Sequence, residues 1–416
     1  MKENPEFGER LSEQFEAKKK PLFTRSAVTR EALVKGKTAA YGRELVNSLE
    51  RAELYNLFKI LRKELRTAAP EKKAEGIALR NDLARKAKEM QKRIDEMNRQ
   101  FHEEAFRVPI EMPDIGSFDI PVAELDLAPA EDPEKDERIP YVFLGGLTTN
   151  YYQTAALSMA LGMEDRRVFA LTYPEQKIAN PPKALIDAIA EETTFKLHAE
   201  ILKQTAAKLG TGKMNLVGYS MGTGVLMEAM KDPAFAERVN DLVLLEPIGL
   251  VEKSLPKIAK EFLVDQAFGQ TFPNVEDRIK GWLQGDTTSG APVAALKNDV
   301  DIIRKKQFDA ESLSRMAPSG SLQVWFSPDS PLMNAKEIDG AFEGAARLRR
   351  ERGEAEIPQN ITHVKSATHA WPLVHAIGLA GRLTRPRPSS EKITELAQED
   401  LDRTYAQKLL KGVMGK

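Results

Sequence analysis

Residues Asn215–Met230 read NLVGYSMGTGVLMEAM. A short apolar run meets Gly218-Tyr219-Ser220-Met221-Gly222, and a helix-like run follows. A serine that needed only solvation could occupy any loop. A sharp strand-to-helix turn instead forces Ser220 into strained backbone geometry and brings neighbouring backbone very close, so side chains at Gly218 and Gly222 would clash. The turn also puts Ser220 at a helix N-terminus, where free N–H groups and the dipole favour developing negative charge. A serine hydroxyl is a poor nucleophile at neutral pH. It needs a base, a group that orients the base, and donors for the oxyanion. Ser220 is read as a nucleophile, against the alternative of a tight structural turn.

Working outward, strand-like and helix-like runs alternate. PYVFLGG is a short apolar strand, and NYYQTAALSMALG a helix ending at Gly162. RRVFALTY is a strand, and TTFKLHAEILKQTAAKLG an amphipathic helix capped near Thr193 and stopped by Gly210. MNLVGYS, DLVLLEP, SLQVWFS and NITHVKSA read as further strands, with a long charged helix in AFEGAARLRRERGEAE before the last of them. Such alternation implies βαβ crossovers and a mostly parallel sheet with helices on both faces. Ahead of it, FRVPIEMPD and SFDIPVAELDL suit a hairpin whose prolines favour edge positions. APAEDPEKDERIP reads as a solvated loop. Residues 249–318 form a long, mostly helical insertion carrying Phe262, Phe268, Phe272, Trp282 and Leu283.

The first 104 residues differ in character. Leu45, Leu49, Leu57, Leu61 and Leu65 recur at helical spacing, then Ala87, Met90, Ile94, Met97 and Phe101 make a short heptad seam. Two helices joined near Pro70 suggest a helical hairpin. Its seam either packs on its own partner helix or the main domain, or serves as an arm for a homo-oligomer or a protein partner. Residues 386–416 are expected to form a C-terminal helix.

The chain has 416 residues, no cysteine and a formal net charge of −1. Disulfides, thiolate metal sites and cysteine nucleophiles are excluded, and the charge carries no nucleic-acid signature. The start, MKENPEFGERLSEQFEAKKK, has no apolar core and does not read as a secretory signal. No apolar run approaches the roughly 18 residues needed to span a bilayer. A cytoplasmic location is the default expectation. No metal-ligand cluster, phosphate loop or nicotinamide fingerprint stands out, so neither a metal nor a cofactor is expected.

The GYSMG elbow and the order of the elements around it resemble the α/β-hydrolase fold over residues 105–385. The resemblance implies a serine hydrolase whose acid follows a later strand and whose histidine follows the last strand. Asp329, just past SLQVWFS, and His369, just past NITHVKSA, occupy those places. His369 would take the Ser220 proton and return it to the leaving group, with Asp329 fixing the imidazole. Glu246, at the end of LLEP, is the other candidate acid. Of the remaining histidines, His363 falls inside the last strand, His375 in the helix after it, and His102 and His198 upstream of the serine.

The resemblance also implies an oxyanion hole made by the N–H of Met221 and one from the loop after YVFLGG, at Leu147 or Gly146. The usual His-Gly pair of that loop is replaced by Leu144-Gly145-Gly146. The insertion at 249–318 occupies the place of the family's lid. A small acyl substrate, as ester, thioester or amide, is the expected partner. An acyltransferase on the same triad, or a non-catalytic hydrolase-like binding module, are the alternatives.

Overall fold

The runs YVFL, VFAL and MNLVGY have every residue buried, and they lie side by side at the centre of one sheet. Strands covered on both faces need continuous apolar sequence rather than alternation. A computed structural model describes residues 105–127, 138–147, 149, 151, 154–163, 166–268, 292–355, 357–365, 369, 371–374, 376–384 and 392–397, with Glu96 and Gln100 ahead of them. The proposed N-terminal hairpin, apart from those two residues, lies outside this set. So do Thr148, the loop 128–137, Phe272, Trp282, Leu283, His102, His375 and residues 398–416.

Among the described residues the sheet has nine strands: β1 (Phe106–Met112), β2 (Gly116–Leu125), β3 (Tyr141–Leu144), β4 (Val168–Leu171), β5 (Met214–Tyr219), β6 (Val239–Leu245), β7 (Leu322–Phe326), β8 (Gln359–Lys365) and β9 (Lys392–Ala397). Their order is β1-β2-β4-β3-β5-β6-β7-β8-β9. The first two form the expected antiparallel hairpin, and β2 runs antiparallel to β4; every other pairing is parallel. Pro109 sits on the edge strand β1. Pro121 lies just beyond the β4 ladder, where its carbonyl accepts the Thr172 N–H and no donor is needed.

The helices follow the crossovers: α1 (Ala155–Met163), α2 (Lys183–Glu191), α3 (Lys196–Lys208), α4 (Met221–Ala229), α5 (Pro233–Ala236), α6 (Leu255–Phe268), α7 (Val293–Ile303), α8 (Ala310–Ser314), α9 (Ala335–Glu351), α10 (Trp371–Val374) and α11 (Ala376–Leu383). α9 shows the rule that places them. Ile338, Phe342, Ala345 and Ala346 form a buried stripe at helical spacing, and Asn334 caps the first turn through the Glu337 N–H. Each such large apolar side chain contributes about 1.5–3 kcal/mol on burial. No helix among the described residues is long and apolar enough to cross a membrane.

Three expectations are corrected. Thr193 does not cap α3. The helix starts at Lys196, and the Glu192 carboxylate reaches over to accept the Leu197 N–H. The segment expected as a C-terminal helix contains β9, which pairs in parallel with β8 from Asn360↔Lys392 to Lys365↔Ala397. The open edge of β8 offers a row of unpaired N–H and C=O groups, and KITELA supplies a β-branched pair to meet it. The sheet domain therefore runs past residue 385. Finally, part of the insertion belongs to the body. Arg349 of α9 donates to the carbonyls of Leu313, Ser314 and Met316, which holds α8 down.

The insertion is anchored at two further points. Asn298 of α7 donates 2.7 Å hydrogen bonds to the carbonyls of Ile189 and Glu192, and α6 reaches the strand-end loops through Glu261. Ahead of the sheet, the Gln100 side chain both donates to and accepts from the Asp126 backbone, at 3.2 and 3.1 Å. That places Gln100 against the body.

Candidate active site

Ser220 joins β5 to α4 with φ 51° and ψ −117°, a left-handed conformation a serine adopts only under constraint. The constraints are visible. Its N–H donates to the Leu245 carbonyl at 2.9 Å, and its carbonyl accepts the Thr223 hydroxyl at 2.6 Å. Thr223 Oγ1 in turn accepts the Ile248 N–H at 3.0 Å, tying the elbow to the loop after β6. A Cβ on Gly222 would lie 2.3 Å from the Leu144 carbonyl oxygen, and one on Gly218 2.9 Å from the Thr223 nitrogen. At both glycines the close backbone approach leaves no room for a side chain.

His369 follows β8 and meets the serine from above. Its Nε2 lies 2.8 Å from Ser220 Oγ, and its Nδ1 lies 3.0 Å from Glu246 Oε2. Ser220, His369 and Glu246 are 9%, 6% and 0% exposed, so the chain of contacts is shielded from water. When Glu246 is ionised it can only accept at Nδ1, so the ring proton then sits there and the Nε2 lone pair faces the serine hydroxyl. The histidine is also held by its backbone. Its N–H donates to Glu261 Oε1 at 2.7 Å, and its carbonyl accepts the Tyr219 hydroxyl at 3.1 Å.

Glu246, not Asp329, is therefore the carboxylate that meets the His369 imidazole. It sits at the end of β6, the strand beside β5, with φ 53°. Its N–H donates to the Trp325 carbonyl at 2.7 Å, and its Oε1 accepts the Ser327 N–H at 2.6 Å and the Trp371 indole N–H at 2.5 Å. Asp329 is exposed one strand further out, its N–H turned back on Ser327 Oγ at 3.2 Å. The first residue past β7 is thus used to bind Glu246. The signal for this in the sequence is a single carboxylate closing the apolar run LVLLEP, where burial demands partners from elsewhere. His363 is paired with Asp339 of α9 at 3.0 Å, and His198 lies between Glu175 and Glu192.

Lys253 and Glu261, from the insertion, escape a reading by motif. Lys253 is buried and its Nζ has no hydrogen-bond partner among the described residues. Burial pulls its ammonium down to about 8, against the opposing pull of Glu246 and Glu261. Burial likewise pushes the Glu246 carboxyl up to about 8, while the Trp371 and Ser327 donors and the Lys253 charge work to lower it. The Glu246–His369 contact is thus backed by a buried cation and a second carboxylate.

The loop after β3 lies against the serine. A Cβ on Gly146 would come within 3.4 Å of Ser220 Cβ. The Gly145 carbonyl accepts both the Gly222 N–H, at 3.0 Å, and the Tyr173 hydroxyl, at 2.6 Å. The Gly146 carbonyl accepts the N–H and hydroxyl of Thr149. Leu147 and Met221 are buried beside this junction. A cavity of about 570 Å³ elsewhere is lined by Tyr141, Asn215, Asn240, Ser321 and Asn360, near the amino ends of the parallel strands. The serine lies at their carboxyl ends, where open α/β sheets bind ligands.

Residues 140–292 match a family model described as alpha/beta hydrolase fold. Among solved structures, a bromoperoxidase from Bacillus anthracis aligns over 67% of this chain and 98% of its own at 15% identity, with a TM-score of 0.46. A thermophilic esterase from Thermogutta terrifontis aligns over 73% and 99% at 14% identity and TM-score 0.46. A carboxylesterase from Bacillus subtilis aligns over 70% and 95% at 17% identity and TM-score 0.43. No curated protein matches the sequence.

Proposed function

Starting from the α/β-hydrolase fold that this chain has, we propose that it is a serine hydrolase acting on a carboxylic ester, thioester or amide. His369 Nε2 takes the Ser220 proton as Oγ attacks the acyl carbon. The tetrahedral oxyanion is received by the N–H groups of Met221 and of Leu147 or Gly146. The carbonyl reforms as the C–O, C–S or C–N bond breaks, and the imidazolium gives its proton to the leaving group. Water, deprotonated by the same imidazole, then attacks the acyl-enzyme; the acyl–Oγ bond breaks, the acid leaves and the imidazolium returns its proton to Ser220 Oγ. Glu246 holds the Nδ1–H tautomer and stabilises the imidazolium. Glu261 fixes the His369 backbone, a positioning role.

The observation that carries the reading is the unbroken series of contacts from Ser220 Oγ through the His369 imidazole to the Glu246 carboxylate, at 2.8 and 3.0 Å. A binding module would have no use for a strained serine aligned on a histidine in its basic tautomer. Labelling with a fluorophosphonate probe, followed by mapping of the modified residue, tests it. Modification at Ser220, abolished in Ser220→Ala, is expected. Modification elsewhere, or equal labelling of the variant, would overturn the assignment.

A further inference from the structure

A second group of buried titratable side chains lies where the turn after β4, helix α3 and helix α7 meet. Glu175, His198 and Asp299 are 0%, 3% and 1% exposed, and one donor atom from each lies within 4.8 Å of the other two. The Glu192 carboxylate stands 2.9 Å from His198 Nδ1, so the ring proton sits on Nδ1. Nε2 faces Glu175 Oε2, 3.3 Å away. Those two atoms hold that position with either a proton or a metal cation between them. Their separation matches the roughly 3.4 Å that two ligands show across a tetrahedral zinc with bonds of about 2.0–2.1 Å.

The remaining oxygens point the same way. Both Oδ atoms of Asp299 and the Oε1 of Glu175 are buried with no hydrogen-bond partner among the described residues. A proton on His198 Nε2 would satisfy only one contact and leave these three atoms orphaned. Buried carboxylates in that state are costly unless paired or bound to a metal.

We infer that Glu175, His198 and Asp299 form a binding site for a divalent metal of the zinc class, with Glu192 holding the imidazole in its metal-binding tautomer. The carboxylate–imidazole–metal arrangement is the usual means of fixing a histidine ligand. One imidazole nitrogen and two carboxylates suit zinc; calcium and magnesium favour six or more oxygens. Glu175 and His198 belong to the body, and Asp299 to the insertion. The bound metal clamps the α7 end of the insertion onto the sheet domain, and its role is structural. The expectation of no metal rested on the absence of a spaced motif, and these ligands are scattered between residues 175 and 299.

The test uses the full chain, stripped with a chelator and then titrated with zinc chloride. Metal content is read by mass spectrometry and stability by thermal unfolding. About one zinc per chain is expected, with the unfolding midpoint raised by about 5 °C at roughly a hundredfold excess over the dissociation constant. Asp299→Asn and Glu175→Gln should each bind less than about a tenth of the zinc and lose the shift, while the surface change Asp329→Asn keeps both. In chelator, Asp299→Asn should melt above the wild type, and zinc should reverse that order. A wild type that binds no zinc and melts identically in zinc and chelator overturns the site, whatever the variants do. Binding of calcium or magnesium but not zinc overturns the metal class. Undiminished zinc binding by both variants overturns the ligand set.

Discussion

His369 Nδ1 lies 3.0 Å from Glu246 Oε2, and Glu246 stands at the end of the strand next to the one that delivers Ser220. Glu246 and Ser220 thus sit at adjacent strand ends, both in left-handed backbone, φ 53° and 51°. Which carboxylate serves the histidine is a question that substitution can decide.

Glu246→Gln should lower kcat by about 10²–10⁴-fold, since an amide cannot hold the imidazole tautomer or stabilise its charge. Asp329→Asn should stay within about twofold of wild type, as expected of an exposed turn residue. Steady-state kinetics on a chromogenic ester distinguish the two. The opposite ranking would return the acid role to Asp329.

The same glutamate makes stability depend on pH. Its carboxyl is raised from 4.5 to about 8 by burial, so the folded protein holds a proton that the unfolded chain has lost across that window. Its contribution is full below about pH 4.5 and is lost as pH rises through about 8. Lys253, lowered from 10.5 to about 8, contributes above 10.5 and loses that contribution as pH falls through about 8. Urea unfolding should show wild-type stability falling relative to Glu246→Gln between pH 5 and pH 8, by an amount on the order of a few kcal/mol. A pH-independent difference would contradict the burial argument.

Lys253→Met removes the buried positive charge behind the Glu246–His369 pair. The pair then gives up its excess proton less readily, and the acid limb of the kcat/KM profile should move up by about one pH unit. A merely structural lysine would lower activity or stability without moving that limb.

Gly222→Ala places a methyl 2.3 Å from the Leu144 carbonyl oxygen and 2.7 Å from that of Gly145. Both contacts are backbone and neither can yield cheaply. The elbow and the β3 loop must separate, with a loss of kcat on the order of 10²-fold or more and about 2 kcal/mol or more of stability. Kinetics and denaturation midpoints read the two effects separately.

The elbow was legible because its signal is local. Strand, glycines, serine and helix follow within Asn215–Met230, and the strain at Ser220 needs that order. His369 is singled out by its place after NITHVKSA, and its Nε2 lies 2.8 Å from Ser220 Oγ. The carboxylate that meets it is not singled out. Glu246 and Asp329 both close apolar strands, and only the lateral order β5-β6-β7 decides which side chain reaches the imidazole. Glu261 and Lys253 gave no signal because they act through the His369 backbone and through burial. β9 was misread because KITELA becomes a strand only against the open edge of β8.

The Gly145 carbonyl is grasped from two sides, by the Gly222 N–H of the serine helix and by the Tyr173 hydroxyl from beyond β4. A loop clamped in this way has its working shape before any substrate arrives. If its amides receive the oxyanion, no binding energy goes into arranging them, and the solvent reorganisation that slows the same reaction in water has already been dispensed with during folding. On that reading the setting of Ser220 is prepared in part by Tyr173, which grips the loop beside the serine.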